Sequence, residues 1–181
     1  MLLQQAHSAL ILVDYQTRLM PFIHEGQAAV DEAVFLGKIA RLLDVPVIGT
    51  EQNSTRLGPN DDAIAALCQQ MLEKRHFNAA ADGLGALIER TAPGARQIVV
   101  AGCEAHVCLL QTALGLLSEG FEVFVVPDAC SSRKASDKAL AMQRLSQAGV
   151  TLVSAESVAF EWLHHCDHPR FKEALALIKP H

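Results

Sequence analysis

The alternation of two kinds of segment constrains the fold of this chain more than any other feature of its sequence. Short apolar runs of about five residues alternate with longer segments in which apolar residues recur every three or four positions. The first pattern predicts buried β-strands, and the second predicts amphipathic helices. Strands that alternate with helices pair in parallel, so this order predicts a parallel sheet covered by helices on both faces.

The predicted elements define an α/β protein. The clearer strands are residues 9–14, 45–50, 97–101, 122–127 and 151–154, and a weaker sixth strand lies near residues 71–74. The predicted helices are residues 28–43, 61–70, 84–90, 105–118 and 135–147. The segment 169–178 also has helical spacing, and we expect it to dock on the outside of the domain or on a partner. The expected fold is a three-layer α/β/α sandwich with a mainly parallel sheet of six strands.

Length and composition limit the class of protein further. A chain of 181 residues predicts one domain, here 1–181, with a sizeable core. Its formal net charge of −5 argues against a nucleic-acid-binding face. No apolar run approaches the roughly 18 residues that span a bilayer, and the N-terminus lacks the positive segment of a signal peptide. The five cysteines lack metal-site spacing, so we expect reduced thiols and a cytoplasmic location.

Three residues of reactive type lie where such a fold places its chemistry. Ligands of open α/β sheets bind at the carboxyl ends of the strands. Asp14 follows the first predicted strand, Lys74 ends the weak sixth one, and Cys108 lies in the first turn of the helix after the strand at 97–101. A helix N-terminus and a nearby lysine both favour a thiolate, which is a capable nucleophile toward a carbonyl carbon.

The order of these motifs resembles that of the isochorismatase-like cysteine hydrolases, which include nicotinamidases and N-carbamoylsarcosine amidase. The matching segments read Leu-Val-Asp14-Tyr-Gln16, Glu-Lys74-Arg-His-Phe77, Ala-Gly102-Cys-Glu-Ala-His-Val-Cys108-Leu-Leu-Gln-Thr112-Ala and Asp128-Ala-Cys-Ser-Ser132. They cover nearly the whole chain in the right order. The similarity is greatest to a metal-free, poorly characterised branch of the family.

The resemblance implies roles for the matching residues. Cys108 would be the nucleophile, Asp14 the general base and later the acid, and Lys74 the charge that stabilises the thiolate. The family also implies a cis peptide at Cys103–Glu104, which would direct backbone N–H groups near Glu104 and Cys108 at a developing oxyanion.

Other residues near these motifs are open to two interpretations. Leu19, Phe22 and Phe77 flank the catalytic candidates and could line a substrate pocket, but core packing explains them equally well. His106 could polarise a substrate or merely cap its helix, and we leave it outside the catalytic set.

Neither a metal nor a cofactor is expected. Metal-binding members of the family carry an Asp-x-His pair after the second strand, where this chain reads Glu51-Gln-Asn53. No nucleotide-binding glycine motif follows any predicted strand. His164, His165, Cys166 and His168 suggest a metal cluster by composition, but we interpret them as surface residues because they lie far in sequence from the nucleophile.

The expected function is a cysteine-dependent hydrolase of a small amide, imide or carbamoyl compound, acting through a thioester-type intermediate. Two alternatives remain open. One is a non-catalytic oligomeric scaffold or binding protein of the same fold. The other is an isochorismate-type enol-ether hydrolase, which would not need a nucleophilic thiol. The expected partners are a small-molecule substrate and further copies of the chain, with neither nucleic acid nor a membrane.

Overall fold

A computed structural model describes residues 1–179, and residues 180–181 of the predicted domain lie outside the described range. Within that range six strands form one parallel sheet, in the order β3-β2-β1-β4-β5-β6. The strands are β1 (Ser8–Val13), β2 (Val47–Gln52), β3 (Gln70–Lys74), β4 (Gln97–Gly102), β5 (Glu122–Val125) and β6 (Thr151–Leu152). The predicted α/β class and six-stranded parallel sheet are therefore confirmed.

Helices cover both faces of the sheet. They are α1 (Gly26–Leu42), α2 (Ser54–Leu57), α3 (Asp62–Ala65), α4 (Leu84–Thr91), α5 (Leu110–Ser118), α6 (Ala135–Gln147), α7 (Ala155–Leu163) and α8 (Phe171–Ile178). Helix α1 contacts α3, α7 and α8, whereas α5 contacts α6. Helix α8 packs on α1 and α7, which agrees with the expected docking of the segment 169–178 on the outside of the domain.

Some predicted elements differ from the observed ones in extent or in helix type. The helix expected over 61–70 is only α3, because Gln69 already donates its amide to the Val47 carbonyl (2.9 Å) and β3 begins at Gln70. Strand β6 ends at Leu152, since Ser154 caps the first turn of α7 by accepting the Ser157 amide. The helix expected over 105–118 begins as a π-helical turn, Ala105–Leu109, before α5.

The two central strands set the position of the site. Every residue of β1 and β4 is buried, and the two strands pair side by side. The chain leaves β1 toward β2 and leaves β4 toward β5, so the strand order reverses between them. Such a reversal opens a crevice at the carboxyl ends of the strands, where open α/β sheets bind ligands.

Within residues 1–179 no helix is long and apolar enough to span a bilayer.

Candidate active site

The floor of this crevice holds a buried ion pair between Asp14 and Lys74. Asp14 directly follows β1, Lys74 ends β3, and Lys74 Nζ lies 2.8 Å from Asp14 Oδ2 with both side chains 0% exposed. The hydroxyl of Thr50 donates to the other carboxylate oxygen, Oδ1, at 2.6 Å. Buried charges are costly unless they are paired and their remaining hydrogen-bonding groups are satisfied. Both conditions hold for the Asp14 carboxylate, so the pair can persist in the core.

Lys74 is also held by a second set of polar groups, which the sequence motifs do not indicate. Its ammonium donates to Gln52 Oε1 at 2.7 Å and lies 3.4 Å from the carbonyl oxygens of His76 and Phe77. The side-chain oxygen of Gln16, Oε1, in turn accepts from the backbone N–H of Gln52 at 2.8 Å. A signal for these contacts was present, because Gln52 is a polar residue at the carboxyl end of a buried strand. Its pairing with Lys74 across β2 and β3 becomes visible only once the register is known.

The Cys108 thiol lies against this ion pair. Cys108 is 7% exposed, and both Asp14 and Lys74 are close enough to affect its ionisation through hydrogen bonds as well as through charge. Burial raises the pKa of Cys108 to about 12, and the Asp14 carboxylate contributes to the increase while Lys74 opposes it. Burial and the Asp14 carboxylate therefore favour the protonated thiol, while Lys74 favours the thiolate.

The reactivity of Cys108 toward a small alkylating reagent is expected to depend steeply on pH. Below its pKa the thiolate fraction grows about tenfold for each pH unit, and only the thiolate reacts. With a pKa of about 12, the carbamidomethylation rate of the Cys108 peptide should rise without a plateau between pH 6.5 and pH 9.5. Mass spectrometry of samples quenched over time measures this rate. A plateau below pH 8 would show instead that Lys74 holds the group as a thiolate.

The turn that carries Cys108 leaves one backbone amide without its helical acceptor. In an α-helical turn the Glu104 carbonyl would accept from Cys108, four residues later. Here it accepts from Val107 at 3.0 Å and, in the π-helical pattern, from Leu109 at 3.2 Å. The Cys108 amide therefore does not make the α-helical hydrogen bond to Glu104. The Cys103–Glu104 peptide bond immediately before this turn is cis, at the position that the family resemblance indicates.

Contacts with the segment after β5 hold the nucleophile turn in place. The Glu104 carboxylate accepts from both the backbone amide and the Nε of Arg133, each at 3.0 Å. The Ala105 amide donates to the Ser131 carbonyl at 2.8 Å. His106 Nδ1 lies 2.9 Å from the Ser132 hydroxyl, so this ring is engaged with the same segment.

The three candidate pocket residues differ in exposure. Phe22 and Phe77 are 70% and 51% exposed, and Leu19 packs half-buried against the core. Of the three, the structure brings Phe77 to the ion pair, through its carbonyl oxygen. A role for their side chains in substrate binding stays a prediction.

In residues 1–179 no three metal-binding side chains are arranged to hold an ion, and this includes the histidine-rich segment 164–168.

The six-stranded parallel sheet flanked by helices matches the fold of solved isochorismatase-like structures. The model of the isochorismatase domain matches residues 8–157 of this chain. The chain therefore belongs to the isochorismatase family, whose members are generally hydrolases. Mouse isochorismatase domain-containing protein 2A is 35% identical over 175 residues, which cover 95% of this chain and 82% of the mouse protein.

Solved structures with the same fold add three comparisons. The MAR1 ribonuclease of Caenorhabditis elegans superposes with a TM-score of 0.92 at 30% identity, covering 99% of this chain and 93% of that one. YcaC from Pseudomonas aeruginosa, determined with hexane-2,5-diol and covalent acrylamide, gives 0.89 at 25% identity, covering 99% and 92%. Escherichia coli YcaC, an octameric hydrolase of unknown specificity, gives 0.88 at 28% identity, covering 99% and 90%.

Proposed function

We propose that this protein is a metal-independent cysteine hydrolase that cleaves the C–N bond of a small amide, imide or carbamoyl compound. The observation that carries the proposal is the Cys108 thiol lying against the buried Asp14–Lys74 pair. A thiol that is protonated at rest needs a base next to it, and the Asp14 carboxylate is that base. Lys74 keeps the carboxylate ionised and offsets the charge that develops on sulfur.

In the first half of the reaction, the Cys108 sulfur attacks the carbonyl carbon while its proton passes to Asp14. The carbonyl oxygen becomes an oxyanion, and the backbone amides of Cys108 and Glu104 donate hydrogen bonds to it. The oxyanion then reforms the carbonyl, the C–N bond breaks, and Asp14 returns its proton to the leaving nitrogen. An amine or ammonia departs, and the acyl or carbamoyl group stays on sulfur.

In the second half, water attacks the thioester carbon and gives a proton to Asp14. The second oxyanion collapses with cleavage of the C–S bond, and Asp14 protonates the departing sulfur. Cys108 returns to its thiol form and Asp14 to its carboxylate, so one water is consumed for each bond cleaved. The same carboxylate acts as base and acid in both halves, as general acid–base catalysis requires.

A solved relative that carries a covalently bound molecule supports a reactive nucleophile in a protein of this fold. The P. aeruginosa YcaC structure, which shares the fold over 99% of this chain, holds a covalent acrylamide. An isochorismate-type enol-ether hydrolysis would proceed by proton transfer and would leave a buried cysteine beside an Asp–Lys pair without a role. We therefore favour thiol chemistry over that alternative and over a non-catalytic scaffold of the same fold.

The proposal extends to assembly and location. The octameric E. coli neighbour supports a homo-oligomer in this chain as well. All five cysteines are unpaired, which agrees with a reducing compartment such as the cytoplasm.

The C. elegans neighbour is named a ribonuclease. The net charge of −5 disfavours binding of a polyanion, so RNA serves as a comparison compound rather than a proposed substrate.

The test is a substrate panel assayed with the wild-type protein, with and without prolonged treatment with a chelator. The panel contains small primary amides, cyclic imides, N-carbamoyl compounds, an enol ether of the isochorismate type and single-stranded RNA. We expect release of ammonia or amine from members of the first three groups, unchanged by the chelator. Cleavage of the enol ether or the RNA alone would overturn the proposed reaction. Activity lost to the chelator and restored by zinc or iron would overturn its metal independence.

A further inference from the structure

The loop after β3 forms part of the cage around Lys74. The carbonyl oxygens of His76 and Phe77 each lie 3.4 Å from Nζ. The carbonyl of Arg75 accepts from Gln52 Nε2 at 2.7 Å, while Gln52 Oε1 accepts from Lys74 at 2.7 Å. Three consecutive carbonyls of this loop therefore fix the ammonium, two of them directly and one through Gln52.

A single carboxylate outside the catalytic set holds this loop. Asp82 ends the short 3-10 turn Ala79–Asp82, and its Oδ2 accepts the backbone amides of Arg75 at 2.8 Å and His76 at 2.9 Å. Its Oδ1 lies 2.8 Å from His76 Nδ1. Burial would raise the pKa of Asp82, but the hydrogen bonds from His76 and Arg75 lower it, so the carboxylate remains charged.

Peptide geometry links the two sets of contacts. The N–H of His76 and the C=O of Arg75 belong to one peptide unit, and in a planar trans peptide these groups point in opposite directions. Asp82 binds the N–H, so it directs the carbonyl of the same unit toward Gln52. Without the carboxylate, the two amides would lose their acceptor and this peptide could rotate.

We propose that Asp82 is a positioning residue, which clamps residues 75–77 so that the Lys74 ammonium faces Asp14 and Cys108. The proposal rests on the role that the proposed function gives to Lys74 at the Cys108 thiol. Asp82 itself touches neither the thiol nor the ion pair. Its effect on the thiol passes through the loop, Gln52 and Lys74.

The test measures the alkylation rate of Cys108 by iodoacetamide at pH 9, using peptide mass spectrometry. Asp82→Ala is expected to slow this rate about 3- to 10-fold, which corresponds to a pKa rise of half a unit to one unit as Lys74 loses its position. Asp82→Asn should recover most of the rate, because its amide oxygen can still accept both backbone amides. Glu161→Ala is the matched control, since Glu161 also accepts a backbone amide, that of Leu3 at 2.7 Å, but lies far from the site.

A double-variant cycle shows whether Asp82 acts through Lys74. In a Lys74→Met background, Asp82→Ala should leave the alkylation rate unchanged. An unaltered or faster rate in Asp82→Ala alone, or the same slowing with Lys74 already removed, would overturn the proposal. If the Asp82→Ala protein does not fold, Asp82→Ser is used in its place. If the Lys74→Met protein does not fold, the cycle is measured in an Asp14→Asn/Lys74→Met background.

This assay also separates the clamp from the proposed hydrolysis. Alkylation needs no substrate, so the expected slowing can be observed even if no compound of the panel is hydrolysed. The converse result is hydrolysis that depends on Cys108 together with an alkylation rate that is the same in the wild type and in Asp82→Ala. This result would reject the clamp but leave the proposed hydrolysis standing.

Discussion

Replacing Cys108 with alanine is expected to lower hydrolysis by at least about 1,000-fold while the protein stays folded. The variant removes the atom that forms the covalent bond, and Asp14 with Lys74 cannot activate water equally well at the same carbon. Cys108 is a small side chain on a π-helical turn, so loss of one sulfur leaves only a small cavity. Steady-state rates on a substrate found in the panel, together with a thermal melt, measure both effects.

Cys68→Ala provides the matched control for this variant. Cys68 is also unpaired, and its thiol donates to the Ile64 carbonyl at 3.3 Å, away from the ion pair. We expect its hydrolysis rate to remain close to that of the wild type. If Cys108→Ala hydrolyses the substrate as fast as Cys68→Ala, the thiol is not the nucleophile, and general acid catalysis by Asp14 becomes the better account.

Replacing Lys74 with methionine is expected to lower the rate at neutral pH by at least about tenfold and to destabilise the fold. Methionine keeps much of the volume and removes the charge that opposes the high pKa of Cys108, and a rise of one unit costs about 1.4 kcal/mol, or tenfold. The variant also leaves the Asp14 carboxylate buried without its partner, which typically costs about 3–5 kcal/mol. Rate assays and urea unfolding of the variant measure these two quantities.

The double variant Asp14→Asn/Lys74→Met separates catalysis from stability. It removes both charges, so the free energy of unfolding should recover most of the loss seen in Lys74→Met, while hydrolysis stays absent. A Lys74→Met protein with wild-type stability and wild-type rate would show that the ion pair has neither role.

Much of the fold could be predicted because its signal is local. The period of the apolar residues separates β1 and β4, which are apolar after their first residue, from α6, which has one buried face. The signal failed at residues 66–70, where a short turn, an edge strand and a helix all permit the same mixture of apolar and polar residues. Pairing with β2 decides the outcome there, and pairing is a non-local property.

The residues of the candidate site could be proposed from the sequence, but their contacts could not. Asp14, Lys74 and Cys108 follow from their places at strand ends and from the family motifs. The contacts of Gln52 and Asp82 depend on strand register and loop geometry, which no motif records. The protonation of Cys108 depends on how burial and Asp14 balance against Lys74, and this balance requires the three side chains to be placed in space.

The most direct test of the account is to trap the covalent intermediate. The wild-type protein is mixed with a substrate from the panel, acid-quenched during turnover and analysed by intact and peptide mass spectrometry. We expect an added mass equal to the acyl or carbamoyl part of the substrate, located on the Cys108 peptide and removed by hydroxylamine. Product formation with no adduct at any quench time, or an adduct on another residue, would contradict a thioester-type intermediate at Cys108.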